Sequence, residues 1–148
     1  MVCALPFLGA CSFKQSSTSQ FKTLPSRGWS KEMPIKFVPE YADSSLTYDI
    51  KLAIRHNTSY QYGNLSLVVD LIDSVKVVNR NNVDFEISDS YGNWLGSGFG
   101  ALYQLNVVIA QDIKPRDVNS IVIWQSMNNC DNVMSITDIG IIVTPSKS

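Results

Sequence analysis

The feature that most constrains this chain is a side-chain period of two, repeated from Trp29 to the C-terminal end. Leu46, Tyr48, Ile50, Leu52 and Ile54 are apolar, while Thr47, Asp49 and Lys51 between them are polar. Val83, Phe85 and Ile87 alternate with Asn82, Asp84, Glu86 and Ser88. Leu65, Leu67, Val69 and Leu71 share one face of another run, as do Tyr103, Leu105, Val107 and Ile109. Successive side chains of a strand point to opposite faces, so such alternation predicts half-buried strands.

Two late runs, 121–124 and 139–143, are apolar on both faces and read as central strands covered on both sides. A weaker strand is expected over 34–38, and Pro34 places it at an edge or a strand start. Turn formers separate the runs at 73–74, 79–82, 89–93, 114–119 and 128–132. No window of about a dozen residues carries a helical stripe. About seven or eight short strands, with turns every ~8–12 residues, predict an all-β fold, an antiparallel β-sandwich resembling a jelly roll. The 148 residues fit one domain, taken here as 29–148.

Composition narrows function mainly by exclusion. Charged residues are 17% of the chain, below the usual ~25%, and net charge is −1 with scattered cations. No basic stripe exists to track phosphates, so nucleic acid is not an expected partner. No apolar run reaches the ~18 residues of a membrane-spanning helix. The three cysteines, Cys3, Cys11 and Cys130, do not form a disulfide framework, and the one histidine, His56, speaks against a Cys/His metal site. No metal or other cofactor is expected.

The N-terminus reads as a targeting segment. Residues 2–10 are apolar apart from Pro6 and Gly9, as in a signal peptide over 1–10. No Lys or Arg precedes the run, as in a truncated signal. Leu8-Gly9-Ala10-Cys11 has the form of a bacterial lipobox, in which small residues admit the peptidase and the Cys11 thiol takes the lipid anchor. A multiply acylated cysteine, carrying palmitate-like chains, holds a membrane stably. Residues 12–28 are rich in Ser, Thr and Gln and have no period, so 11–28 reads as a lipidated cysteine followed by a flexible tether.

Few constellations carry chemistry. Gly96, Gly98 and Gly100 lack the following helix that a phosphate loop needs, and they read as a bend or bulge. Asp84 and Glu86 are two apart on the solvent face, where a solvated carboxylate pair is the default over acid–base catalysis. Residues 89–93 offer oxygens without the ordered carboxylates of a calcium loop. No serine elbow appears, and no nucleophile–base pair can be assembled, so no catalytic residue is expected. Residues 55–64 follow a strongly alternating strand and read as a strand-to-strand loop. Its His56, Asn57, Tyr60, Tyr62 and Asn64, with Trp94, are the candidate contacts for a protein partner or a glycan. The plainer reading is a hydrogen-bonded loop whose tyrosines lie on the end of the sandwich. Trp124 is expected in the core, Trp29 in the core or at its rim.

At this point the chain resembles a known family. Arg55-His56-Asn57, then Tyr60, Tyr62 and Asn64-Leu65, match the R-H-N-x-x-Y-x-Y-x-N-L signature of the gliding-motility lipoprotein family GldH of the Bacteroidetes. Asp89, Gly92, Trp94-Leu95-Gly96 and Gly98 match its D-x-x-G-x-W-L-G-x-G segment. Gln125 and Met127, then Ile136, Asp138-Ile139-Gly140-Ile141, match its closing segment, and Trp29 and Pro34 its opening pair. Ser66 and Asn128 depart from an expected aromatic and an expected basic residue. The resemblance implies a non-enzymatic cell-envelope lipoprotein at the outer membrane, an accessory or scaffold of a gliding or type IX secretion machine. Residues 12–15 after Cys11 hold no acidic pair, which points to the periplasmic side. A carbohydrate-binding jelly roll is the alternative, and its mark would be one flat platform of Trp94, Tyr60 and Tyr62.

Overall fold

The computed structural model describes residues 16–147. The signal segment 1–10, Cys11 and the first residues of the tether lie outside them. The alternating runs become the strands of two antiparallel sheets that face each other as a sandwich. The five-stranded sheet has the order β1 (Thr18–Thr23), β11 (Ile136–Pro145), β4 (Tyr48–Asn57), β8 (Leu102–Ile113) and β7 (Ser97–Phe99). The four-stranded sheet has the order β3 (Ile35–Phe37), β9 (Ser120–Gln125), β5 (Asn64–Ile72) and β6 (Val77–Glu86). A two-residue ladder joins β2 (Trp29–Ser30) to β10 (Asn132–Val133). Strands outnumber the expected seven or eight because four of them are only two or three residues long.

The core lies where the inner faces meet. Ile50, Leu52 and Ile54 of β4 and Ile139, Ile141 and Val143 of β11 are buried, as are Leu65, Leu67 and Val69 of β5 and Ile121 and Ile123 of β9. Each such side chain contributes about 1.5–3 kcal/mol by leaving water. β9 and β11 are interior strands of their sheets, but a two-layer sandwich covers only one face of each, so the expected cover on both sides is not found: Val122, Trp124 and Ile142 are only part-buried. β3 is an edge strand, as Pro34 requires. Trp29 is fully buried and its indole N–H donates to the Met33 carbonyl.

Three further expectations are corrected. The tether does not run unbroken to residue 28: β1 pairs with β11 along its whole length, Thr18 against Val143 and Thr23 against Asp138. Backbone pairing orders a polar, aperiodic segment that cannot bury a face of its own, and Phe21 supplies the one large anchor. Asn79, Asn81 and Asn82, read as turn formers, lie within β6, opposite Leu71, Val69 and Val68. An exposed edge strand tolerates residues of low strand propensity because its neighbour fixes the backbone. Trp124 is not in the core. Its neighbours Ile123 and Gln125 point inward, so it faces out, with the Arg80 guanidinium 5.7 Å from its ring.

Candidate functional site

The signature residues gather at one end of the sandwich. β4 runs to Asn57, so Arg55, His56 and Asn57 are strand residues and not part of a loop. The pleat sends Arg55 outward and His56 inward. The connection to β5 is then only 58–63, and Asn57 shapes it. Its side-chain oxygen accepts from the Ser59 N–H at 2.8 Å, and its carbonyl accepts from the Tyr60 N–H at 3.4 Å. A short amide closing the turn onto its own backbone is a standard use of asparagine.

His56 has no exposed surface. Its ring stacks on Tyr103 at 5.7 Å and packs against Trp94 at 4.8 Å and Tyr60 at 5.8 Å. Nδ1 lies 2.9 Å from the Asn57 carbonyl oxygen and donates to it in the tautomer that fits. Nε2 is buried and finds no hydrogen-bond partner among the described residues. Burial lowers the His56 pKa and outweighs the bond to Asn57. The imidazole is therefore neutral packing, and the expectation that it sits in a strand-to-strand loop is corrected.

Tyr60 is also buried, and its hydroxyl donates to the Asn64 carbonyl at 2.6 Å. Asn64 Nδ2 donates to Asp84 Oδ1 at 2.6 Å, as does the Ser66 hydroxyl at the same distance. Those bonds lower the Asp84 pKa, so it is an ionised acceptor with no proton to deliver. Tyr62 is 39% exposed and its hydroxyl donates to Cys130 Sγ at 3.5 Å. The rings of Tyr60 and Tyr62 meet edge-on at 69°, and Trp94 is packed onto His56. The flat platform of Trp94, Tyr60 and Tyr62 expected for a glycan binder is therefore not formed.

The second signature segment closes over the first. Ser88 bridges Trp94, and the Leu95 N–H donates to the Ile87 carbonyl. Asp89 Oδ1 accepts from the backbone N–H of Tyr91 and Asn93, and Oδ2 from Asn93 Nδ2. Its oxygens thus close a turn. Among the described residues no group of three His, Cys, Asp or Glu gathers as metal ligands do. The glycine run has two jobs. A side chain on Gly98 would meet the Tyr103 ring at 2.9 Å, while Gly100, at φ +65°, makes the turn between β7 and β8.

The closing motif is structural too. The buried Gln125 donates from Nε2 to the carbonyls of Trp29, Cys130 and Asp131, each at 3.2 Å, and accepts from the Met127 N–H at 2.9 Å. One amide thus staples β9, β2 and the loop 126–131. Gly140 makes room for Phe21, whose ring atom would lie 2.5 Å from an added Cβ.

Sequence reading missed the outer rim of this end. Tyr91 is 89% exposed, and Leu95 and Phe99 are nearly half exposed. It also missed Arg55, whose guanidinium lies 3.7 Å from the Phe21 ring centre and 5.7 Å from that of Phe99, with Nε donating to Gln104 Oε1 at 2.9 Å. Strand parity was the available signal, since it separates Arg55 from His56.

Fold and site together define an antiparallel β-sandwich whose signature residues form a packed aromatic knot beneath an exposed apolar rim. The family model described as GldH lipoprotein matches residues 16–143, and the chain belongs to that family. It is 26% identical over 128 residues to a protein of Christiangramia forsetii named gliding motility lipoprotein GldH homolog, covering 81% of this chain and 79% of that one. It is 21% identical over 133 residues to the gliding motility lipoprotein GldH of Flavobacterium johnsoniae, covering 86% and 83%. Among solved structures, a chain of tomato aspermy virus aligns over 90% of this chain and 78% of its own, at a TM-score of 0.43 and 7% identity, which carries no argument.

Proposed function

We propose that this protein is a lipid-anchored, non-enzymatic envelope component that supports a gliding or secretion-associated machine as an accessory scaffold. Cys11 carries the anchor, at the outer membrane and on its periplasmic side, and the rim of Tyr62, Tyr91, Leu95 and Phe99 meets an envelope protein partner. Family membership supports the lipoprotein and gliding reading. The observation that carries the rim is polarity along the strands. Ile136 pairs with His56 at the rim end, whereas Pro145 pairs with Tyr48 and Thr18 with Val143 at the other end. The chain therefore enters β1 at the pole opposite the rim. The ten residues of β4 separate the two poles by about 33 Å. Between Cys11 and Thr18 lie six residues, so the two are at most about 25 Å apart. An anchored domain then holds its rim away from the lipid.

A detergent pull-down of the tagged full chain tests this, beside Cys11→Ala and beside a rim variant, Tyr62→Ala, Tyr91→Ala and Leu95→Ala together. Machine components should be recovered with the acylated protein and lost with the rim variant, whose melting temperature stays within a few degrees of the parent. Recovery undiminished in the rim variant would remove the contact assignment. An unacylated bait would remove the anchor.

A further inference from the structure

We infer that a second copy of this chain pairs with the free edge of β6, antiparallel and about a two-fold axis at Asn82, joining two four-stranded sheets into one. β6 is the outer strand of its sheet, ten residues long, and among the described residues nothing pairs with its far side. The other edges are shorter: β3 and β7 have three residues each, and β1 has six and carries Lys22. Natural edges are blunted by shortness, proline, lysine or a bulge, because unpaired backbone templates another strand. β6 has no proline and no lysine; its one bulge, at Val78, lies near its start, and the ladder with β5 is regular from Asn79 to Glu86.

The direction of the unpaired groups follows from the ladder. Ser66 turns its carbonyl to the Ser126 N–H and its own N–H to Met127 Sδ, away from β6. Its partner across the ladder, Asp84, therefore turns its N–H and C=O away from β5, to the free edge. By alternation Arg80, Asn82 and Glu86 do the same. A partner strand must hydrogen-bond to these residues.

Charge selects the partner. Arg80 lies in the first half of β6, and Asp84 and Glu86 in the second. A parallel copy in register sets like charges side by side, whereas an antiparallel copy brings opposite signs together. Of the registers that keep outward groups facing each other, the one centred on Asn82 overlaps nearly the whole strand. It also sets each Arg80 across from the copy's Asp84. Both retain a free valence for it. Arg80 engages Asp70 through Nε and Nη2, leaving Nη1, while Asp84 receives Asn64 and Ser66 on Oδ1, leaving Oδ2. Opposite charges directly across a ladder favour pairing, and like charges oppose it.

The test uses the full chain in mild detergent. Asn82→Cys places the two thiol-bearing residues at a hydrogen-bonded pair with Cα atoms about 5.5 Å apart, within disulfide range. Oxidation should give a band of twice the chain mass on a non-reducing gel, absent from the parent with its native cysteines. Asn79→Cys, on the same strand, lies about 20 Å from its counterpart and should give none. Asn82→Lys sets like charges face to face, and Asn82→Pro removes an N–H that faces solvent in the single copy. Each should abolish the dimer seen by sedimentation while the melting temperature stays near the parent's. If the proline variant fails to fold, the lysine variant carries the test. A monomeric parent at micromolar concentration, cross-linking at residue 79 and not 82, or a foreign chain on the β6 edge of a monomer would each overturn the inference.

Discussion

His56 sets a pH dependence that can be worked out in advance. Its imidazole is buried among Tyr60, Trp94 and Tyr103 and its pKa lies below the ordinary 6.5. The unfolded chain thus binds a proton near pH 6.5 that the folded chain resists. The stabilisation is complete above that pH and is lost as pH falls toward the folded-state value. One proton gives a slope of at most about 1.4 kcal/mol per pH unit, hence a ceiling of about 2 kcal/mol between pH 6.5 and 5.0. Phenylalanine at this position removes the titration. At pH 7.5 it deletes a buried, unpartnered Nε2, worth about 1–3 kcal/mol, and loses one ordinary hydrogen bond, about 1 kcal/mol. The Asn57 carbonyl keeps the Tyr60 N–H, and the larger ring costs about 1 kcal/mol or more in a packed site. These contributions cancel to within about 1 kcal/mol. The assay is urea unfolding followed by tryptophan fluorescence at pH 7.5, 6.5, 5.8 and 5.0. The midpoint of the parent should fall across the last three, and that of His56→Phe should stay level. The carboxylates held low by turns and side chains, Asp43, Asp73, Asp84 and Asp89, respond below this window, from about pH 4 downward. A parent whose midpoint is flat from 6.5 to 5.0, or a variant with the parent's slope, would refute the reasoning.

Two further substitutions probe other parts of the fold. Gly140→Ala should cost about 1–3 kcal/mol, because its Cβ meets Phe21 and the Gln20 carbonyl at 2.5–2.6 Å; thermal unfolding reads the loss, and early proteolysis at 18–23 reads the release of β1. Arg80→Ala leaves the buried Asp70 carboxylate without its two bonds of 2.6 Å. A fully buried pair would lose about 3–5 kcal/mol, and the 59% exposure of the Arg80 side chain reduces this to about 1–3. Adding Asp70→Asn should recover part of the loss in a double-mutant cycle.

The sequence carried the fold class and most of the core because period two is a direct image of the pleat. Ile50, Ile54, Leu65, Leu67 and Val69 all point where their alternation says. What it did not carry depends on contacts between distant strands. β1 is ordered by the backbone of β11, more than a hundred residues away, so nothing in its own composition marks it as a strand. Asn79, Asn81 and Asn82 favour turns locally, and pairing with β5 overrides that preference. The candidate site was legible as a set of residues and not as a set of exposures. His56 looks like a loop group because β4 continues past its last strongly alternating residue, and Tyr60 is a loop residue that nonetheless packs into the core. Parity through Asn57 would have turned His56 inward and drawn attention to Arg55. The exposed rim at Tyr91 and Leu95 follows from an Asx-type turn at Asp89, whose side-chain bonds leave no signature in periodicity.

The antiparallel ladder between β1 and β11 also determines how the domain bears force. A pull between an anchored N-terminus and a partner gripping the rim acts along the strand axes, since the chain enters at one pole and the rim lies at the other. Loaded this way, the six residue pairs of the ladder are sheared together, and rupture requires their hydrogen bonds to fail as a group. A pull at right angles would unzip them one after another from Thr18. In the proposed arrangement the same small domain is stiff along the line from anchor to rim, and weak across it.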